Sequence, residues 1–119
     1  MPMEIVIFDG QLPMGDSKNA TMVFAQDFRV PECVLTERKL TVTCEGVQIL
    51  GEERHREISS HPVYFDRVLV GRVSGDRAEF TTLPPVDAGL HRISIEVSPF
   101  PGSGLCDDFT LQRVVFSAE

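Results

Sequence analysis

The chain has 119 residues, enough for one domain with a sizeable core, and 42% hydrophobic against 24% charged residues marks it as a folding globular chain. With 11 Lys and Arg against 18 Asp and Glu, the formal net charge is -7. That excess repels phosphate backbones and anionic bilayer surfaces, so neither nucleic acid nor a membrane is expected as a partner.

The opening segment MPMEIVIFDG has no basic region, and its apolar run stops at Phe8, flanked by Glu4 and Asp9. It reads as a short first strand, Ile5 to Phe8, and not as a secretory leader. No stretch approaches the length of a membrane span. Cys33, Cys44 and Cys106 form an odd set. With no export signal, free thiols in a reducing cytoplasm are expected, and the sequon at Asn19 goes unused. Gly10 to Ala20 reads as irregular chain.

Period-two alternation then recurs, punctuated by Gly and Pro, and helical periodicity is almost absent. Thr21 to Val30 sets Met22, Phe24, Phe28 and Val30 on one face. Arg38 to Glu45 alternates cleanly, with Leu40, Val42 and Cys44 inward. Gly46 permits a turn or bulge before Val47 to Leu50. Gly51 to Pro62 is a second irregular piece. Val63 to Val73 is apolar on both faces, as a central strand would be, and Ser74-Gly75-Asp76 reads as a tight hairpin turn into a partner strand, Arg77 to Leu83. After Pro84-Pro85, the run Leu90 to Ser98 alternates with His91, Ile93, Ile95 and Val97 on one face. Pro99 to Asp108 is a third irregular piece. The last strand, Phe109 to Phe116, changes phase between Leu111 and Val114, and a bulge near Gln112-Arg113 reconciles its halves.

The order Asp87-x-Gly89-x-His91-x-Ile93 resembles the corner before strand F of immunoglobulin-like domains, where the pattern is Asp-x-Gly-x-Tyr-x-Cys. The resemblance implies that His91 takes the Tyr position and bonds back across the corner. It puts Ile93 at the Cys position and Cys44 where the partner cysteine would lie, so the pair packs without a bridge. It covers residues 77 to 98 closely and the rest only by strand count, and the core Trp of such domains is missing. Fibronectin type III-like and C2-like sandwiches fit the same strand count.

Each chemistry-bearing residue has a plain structural reading beside a functional one. His91 reads as a corner histidine before a ligand or base. His55 and His61 in GEERHREISSH have acids nearby, but a metal site needs three or four convergent ligands and this spacing matches no module. Cys106 is followed by Asp107 and Asp108, whose charges would raise a thiol pKa and disfavour a nucleophile. Asp9, Asp16, Asp66, Asp76, Asp107 and Asp108 offer oxygens for calcium, without an Asp-x-Asp pair to organise them. Gly102-Ser103-Gly104 lacks the Lys and helix of a phosphate loop. The best interaction candidate is SPFPGSGLCDD: Phe100 is held between Pro99 and Pro101, with Leu105, Asp107 and Asp108 following. Its competing reading is that Phe100 or Leu105 plugs the end of the fold.

The expectation is therefore a single all-β antiparallel β-sandwich over residues 1–119, immunoglobulin-like in the broad sense, of roughly seven to nine strands. The expected role is a non-enzymatic protein-binding or accessory domain in the cytoplasm, with no cofactor and no metal. End loops or an edge strand would make the contact, the latter giving a homodimer. A calcium-dependent C2-like lipid- or ligand-binding module is the alternative, and a small hydrolase or thiol enzyme the remaining one.

Overall fold

The computed structural model describes residues 3–15, 20–32, 37–45, 61–73, 75–97 and 109–118. Among these the elements are β1 (Met3–Met14), β2 (Val23–Val30), β3 (Arg38–Glu45), β4 (His61–Phe65), β5 (Val68–Val73), β6 (Arg77–Phe80), β7 (Gly89–Glu96) and β8 (Phe109–Ala118). They form two four-stranded sheets, ordered β1-β8-β3-β6 and β2-β7-β4-β5. Every strand pair is antiparallel. This is the expected all-β sandwich. Its strand order is that of a jelly roll, two interleaved Greek keys, and not the immunoglobulin order. If β7 were strand F, the strand after it would lie at its side; instead β8 crosses to the other sheet, and β2 flanks β7.

Alternation builds the core. Leu40, Val42 and Cys44 of β3 are all buried, as are Phe24, Phe28 and Val30 of β2 and Ile93 and Ile95 of β7. Phe28 packs edge-on against Phe65 at 5.9 Å and tilted against Phe116 at 5.8 Å, joining the two sheets through aromatic contacts. Met22 departs from the expected face: it precedes β2 and is 46% exposed. In β8, Phe109, Leu111, Val114 and Phe116 are all buried, because the register with β3 shifts between Thr43 and Cys44 and leaves Gln112 unmatched. That is the bulge expected from the phase change.

Three segmentations need correction. The first strand runs through Gly10 and Pro13 to Met14 instead of ending at Phe8. It is an edge strand whose one strand partner among the described residues is β8, with a single further bridge from Met14 to Thr21, so it absorbs these residues with two register shifts. Val63 to Val73 is two strands and not one, reversing at Asp66 and Arg67, whose φ values are 50° and 71°. Positive φ at both central positions is the two-residue turn that suits a right-handed hairpin. Finally, Gly75 and Asp76 do not close a hairpin. They lead from β5 in one sheet to β6 in the other, where β6 pairs with β3 over only four residues. Val47 to Leu50 lies outside the described residues.

The register sorts the strand ends. Met14 pairs with Phe109, Glu45 with Thr110, Thr43 with Arg77, Val23 with Glu96 and His61 with Val73. The strand ends that flank residues 16–19, 46–60, 74 and 98–108 thus gather at one end of the sandwich, called here the connection end. The β4–β5 turn and the β6–β7 corner lie at the other, the corner end.

Candidate functional site

Proline at positions 84 and 85 and Gly89 with φ 122° make the corner before β7. A Cβ at Gly89 would meet nothing within 4 Å, so glycine is there for its backbone angle and not for space. Leu83 and Val86 turn into the core and anchor the corner. From β7, the His91 ring reaches back so that Nε2 lies 2.6 Å from the Asp87 carbonyl oxygen. This is the bond that the tyrosine makes in immunoglobulin-like corners, carried here by an imidazole.

The other ring nitrogen does something the sequence did not announce. Nδ1 lies 2.5 Å from Oδ2 of Asp66, in the β4–β5 turn. Asp66 Oδ1 accepts the Arg92 backbone N–H at 2.8 Å, and the Asp66 N–H donates to the Arg92 carbonyl at 2.9 Å. The turn is thereby fastened to the corner. Both ring nitrogens face oxygens that can only accept, so the arrangement calls for an imidazolium with two N–H donors. Burial opposes charging the ring, but the bonds to Asp66 and Asp87 outweigh it and hold the His91 pKa above the ordinary histidine value. A catalytic histidine needs one nitrogen oriented by a carboxylate and the other free for substrate. His91 has the first and lacks the second.

At the connection end, His61 is 1% exposed and stacks on Phe109 with ring centroids 4.5 Å apart. Burial, with the Arg72 charge nearby, pulls its imidazole down to about 4, so it is neutral at ordinary pH. It is a core residue bridging the two sheets. Its suggested companion His55 lies outside the described residues, as do Asp16, Cys33, Cys106 and all of Pro99, Phe100, Pro101, Leu105, Asp107 and Asp108. Cys44 is a free, buried thiol that burial and the Asp76 charge push up to about 12. A thiol held that high is inert as a nucleophile.

The described acids do not converge. Asp66 sits at the corner end with both oxygens engaged, Asp76 at the connection end, and Asp9 along β1. No group of three or more His, Cys, Asp and Glu able to hold an ion occurs among the described residues. Sequence reasoning missed one hollow altogether. A cleft of about 580 Å³ at the corner end is lined by Met3, Glu4, Arg38, Lys39, Thr81 and Ser117, among others. Arg38 Nη2 donates to the Leu83 carbonyl at 2.9 Å, while its buried Nε has no hydrogen-bond partner. Glu4 and Glu37 balance the two cations, so the cleft shows no net preference of sign. Its residues come from four separated segments, and no local pattern could have revealed it.

No family model matches the chain, and no curated protein matches it. Among solved structures it is similar to the CBM36-1 domain of a multidomain xylanase from the hindgut metagenome of Trinervitermes trinervoides. The TM-score is 0.46 at 8% identity, over 100% of this chain and 98% of that one. At that distance the likeness is one of outline and carries nothing about function.

Proposed function

We propose that this chain is a non-enzymatic binding domain that recognises a protein partner in the cytoplasm, through the connection end of its jelly roll. The observation that carries the reading is the gathering of strand ends. Glu96 and Phe109, which flank residues 98–108, lie at the same end as Glu45 and His61, which flank residues 46–60. The stretches of chain that join β3 to β4 and β7 to β8 are therefore tethered at neighbouring strand ends, a placement suited to recognition. Within the first, Phe100 between Pro99 and Pro101 is an aromatic anchor with little conformational freedom to lose, and Asp107 and Asp108 add charge for orientation.

The chemistry of the described side chains agrees with binding over catalysis: His91 has no free nitrogen and Cys44 no accessible thiolate. The test is Phe100→Ala. Partners retained from the native host are identified, purified and titrated against both proteins. The substitution should weaken the affinity by about 10-fold or more, as loss of an aromatic hot spot does, and leave the thermal midpoint nearly unchanged. A midpoint that collapses, or an affinity that does not move, refutes the proposal. A second contact, between copies through an edge strand, belongs to the same reading.

A further inference from the structure

A sheet edge presents a row of backbone donors and acceptors to whatever strand can align with it. Among the described residues the sandwich has four edges: β1 and β6 in one sheet, β2 and β5 in the other. Three are blunted. β1 breaks register twice and carries Pro13. β5 breaks register opposite Val63 and Tyr64, and β6 is only four residues long. β2 keeps eight consecutive pairs with β7 without a shift, so its outer edge is straight.

The direction of that edge follows from one bond. The Val97 N–H donates to the Met22 carbonyl at 2.8 Å, which makes the pair Met22–Val97 hydrogen-bonded. Alternation then directs the backbone groups of Phe24, Gln26, Phe28 and Val30 toward β7, and those of Val23, Ala25, Asp27 and Arg29 away from it. Arg92 confirms the phase: it lies opposite Asp27, and its own N–H and carbonyl point to Asp66 on the far side of β7.

The side chains between these groups are self-complementary. Arg29 is exposed and has no ion-pair partner among the described residues. Asp27 is exposed too. One of its oxygens takes Arg92 Nε at 2.7 Å, while the other is 3.5 Å from Nη2 and can accept a second cation. An antiparallel partner strand related by a two-fold axis at Phe28 sets Asp27 opposite Arg29 of the second copy, twice. Val23 and Met22, about half exposed, extend the apolar margin of the same edge.

We propose that β2 is the interface at which two copies of this chain pair, antiparallel about Phe28, merging their four-stranded sheets into one. The proposal rests on the edge-strand reading above and names the strand, the partner and the register. The net charge of -7 on each copy opposes association, so the dimer belongs to the weak, concentration-dependent class.

The test is sedimentation velocity over a dilution series, with circular dichroism to show that each variant is folded. The native chain should dimerise reversibly. Arg29→Glu sets Asp27 against Glu in both pairs, and Asp27→Lys sets Lys against Arg29; each should weaken the dimer by about 10-fold or more. Mixing the two variants restores both opposite-charge pairs, and a heterodimer should form where neither variant pairs alone. A native chain that stays monomeric throughout overturns self-association and this proposal with it. A native dimer that both substitutions leave untouched keeps self-association and overturns the β2 register.

Discussion

The fastening of His91 makes the stability of this fold depend on pH in a stated direction. The folded-state pKa of His91 is raised. The folded chain therefore holds its proton to higher pH than the unfolded chain, where histidine titrates near 6.5. The stabilisation is fully present below that unfolded value and is lost as pH rises through the folded one. A neutral ring keeps one donor for two acceptors, so either Asp66 or the Asp87 carbonyl then faces a lone pair. A hydrogen bond to a charged group contributes about 1.5–3 kcal/mol. The His91 side chain is only 10% exposed but Asp66 is 39% exposed, so solvent screening puts the value at the low end, about 1.5 kcal/mol. For a domain of this size that is a fall of roughly 5–10 °C in the thermal midpoint between about pH 6 and about pH 9. His91→Phe supplies the control, because a phenyl ring can keep the contacts with Phe28 at 6.0 Å and Phe65 at 5.6 Å. Melts of both proteins across this range should show the difference between them shrinking as pH rises. Parallel profiles would refute the reasoning, since they would mean that His91 carries no linked proton.

Three further outcomes follow from other sites. His61 has the opposite linkage: its pKa falls to about 4 in the fold, so stability is full above the unfolded value near 6.5 and is lost as pH falls toward 4. That amounts to roughly 3 kcal/mol, and His61→Phe should flatten the acid limb of the melt profile; an unchanged limb would exclude the buried neutral ring. Gly71→Ala would place a Cβ 2.6 Å from Cδ1 and Cε1 of Phe80, and overpacking of that kind destabilises by about 1–3 kcal/mol in urea unfolding. A second change, Phe80→Leu, should recover part of that loss, and no recovery would show that the Phe80 ring is not the obstacle. Cys44 should label with a thiol reagent only as the chain unfolds, since its pKa is pushed up to about 12; rapid labelling of the folded protein at that position would contradict its burial.

The parts of this fold that could be read from the sequence are those in which a residue answers to its own strand. Cys44 alternates with Leu40 and Val42 and is buried with them. The slip of phase in β8 exposed its bulge, because two apolar pairs on opposite faces can both be buried only if one residue is set aside. The corner was legible down to the bond from His91 to the Asp87 carbonyl, four residues back in the chain. What could not be read depends on distant partners. No glycine, proline or asparagine marks the reversal at Asp66 and Arg67, because the turn is held from outside by His91 and Arg92, 25 and 26 residues away. Gly75 and Asp76 look the same whether the chain returns beside its own strand or crosses to the opposite sheet. Pro13 looks like a strand end, yet it is tolerated on an edge strand, where its outward-facing carbonyl accepts the Thr21 N–H at 2.9 Å and no outward N–H is required of it.

The corner and the topology also show why a local likeness to the immunoglobulin pattern coexists with a jelly roll. The corner solves a local problem, the entry of a chain into a strand that must lay one face on a core. That problem recurs in any sandwich whose strands cross between sheets. The global choice lies in where β2 and β8 settle, and that is decided by side-chain fit across sheets. Here Phe24 meets Phe8 edge-on at 5.3 Å, which seats β2 under the β1 edge. Phe116 meets both Phe28 and Phe65, which holds β8 between β1 and β3 over the centre of the opposite sheet. His61 stacked on Phe109 closes the connection end in the same way. Aromatic contacts between sheets thus hold the order, and the order sets the strand ends at Glu45, His61, Glu96 and Phe109 together at one end while leaving β2 as the straight edge.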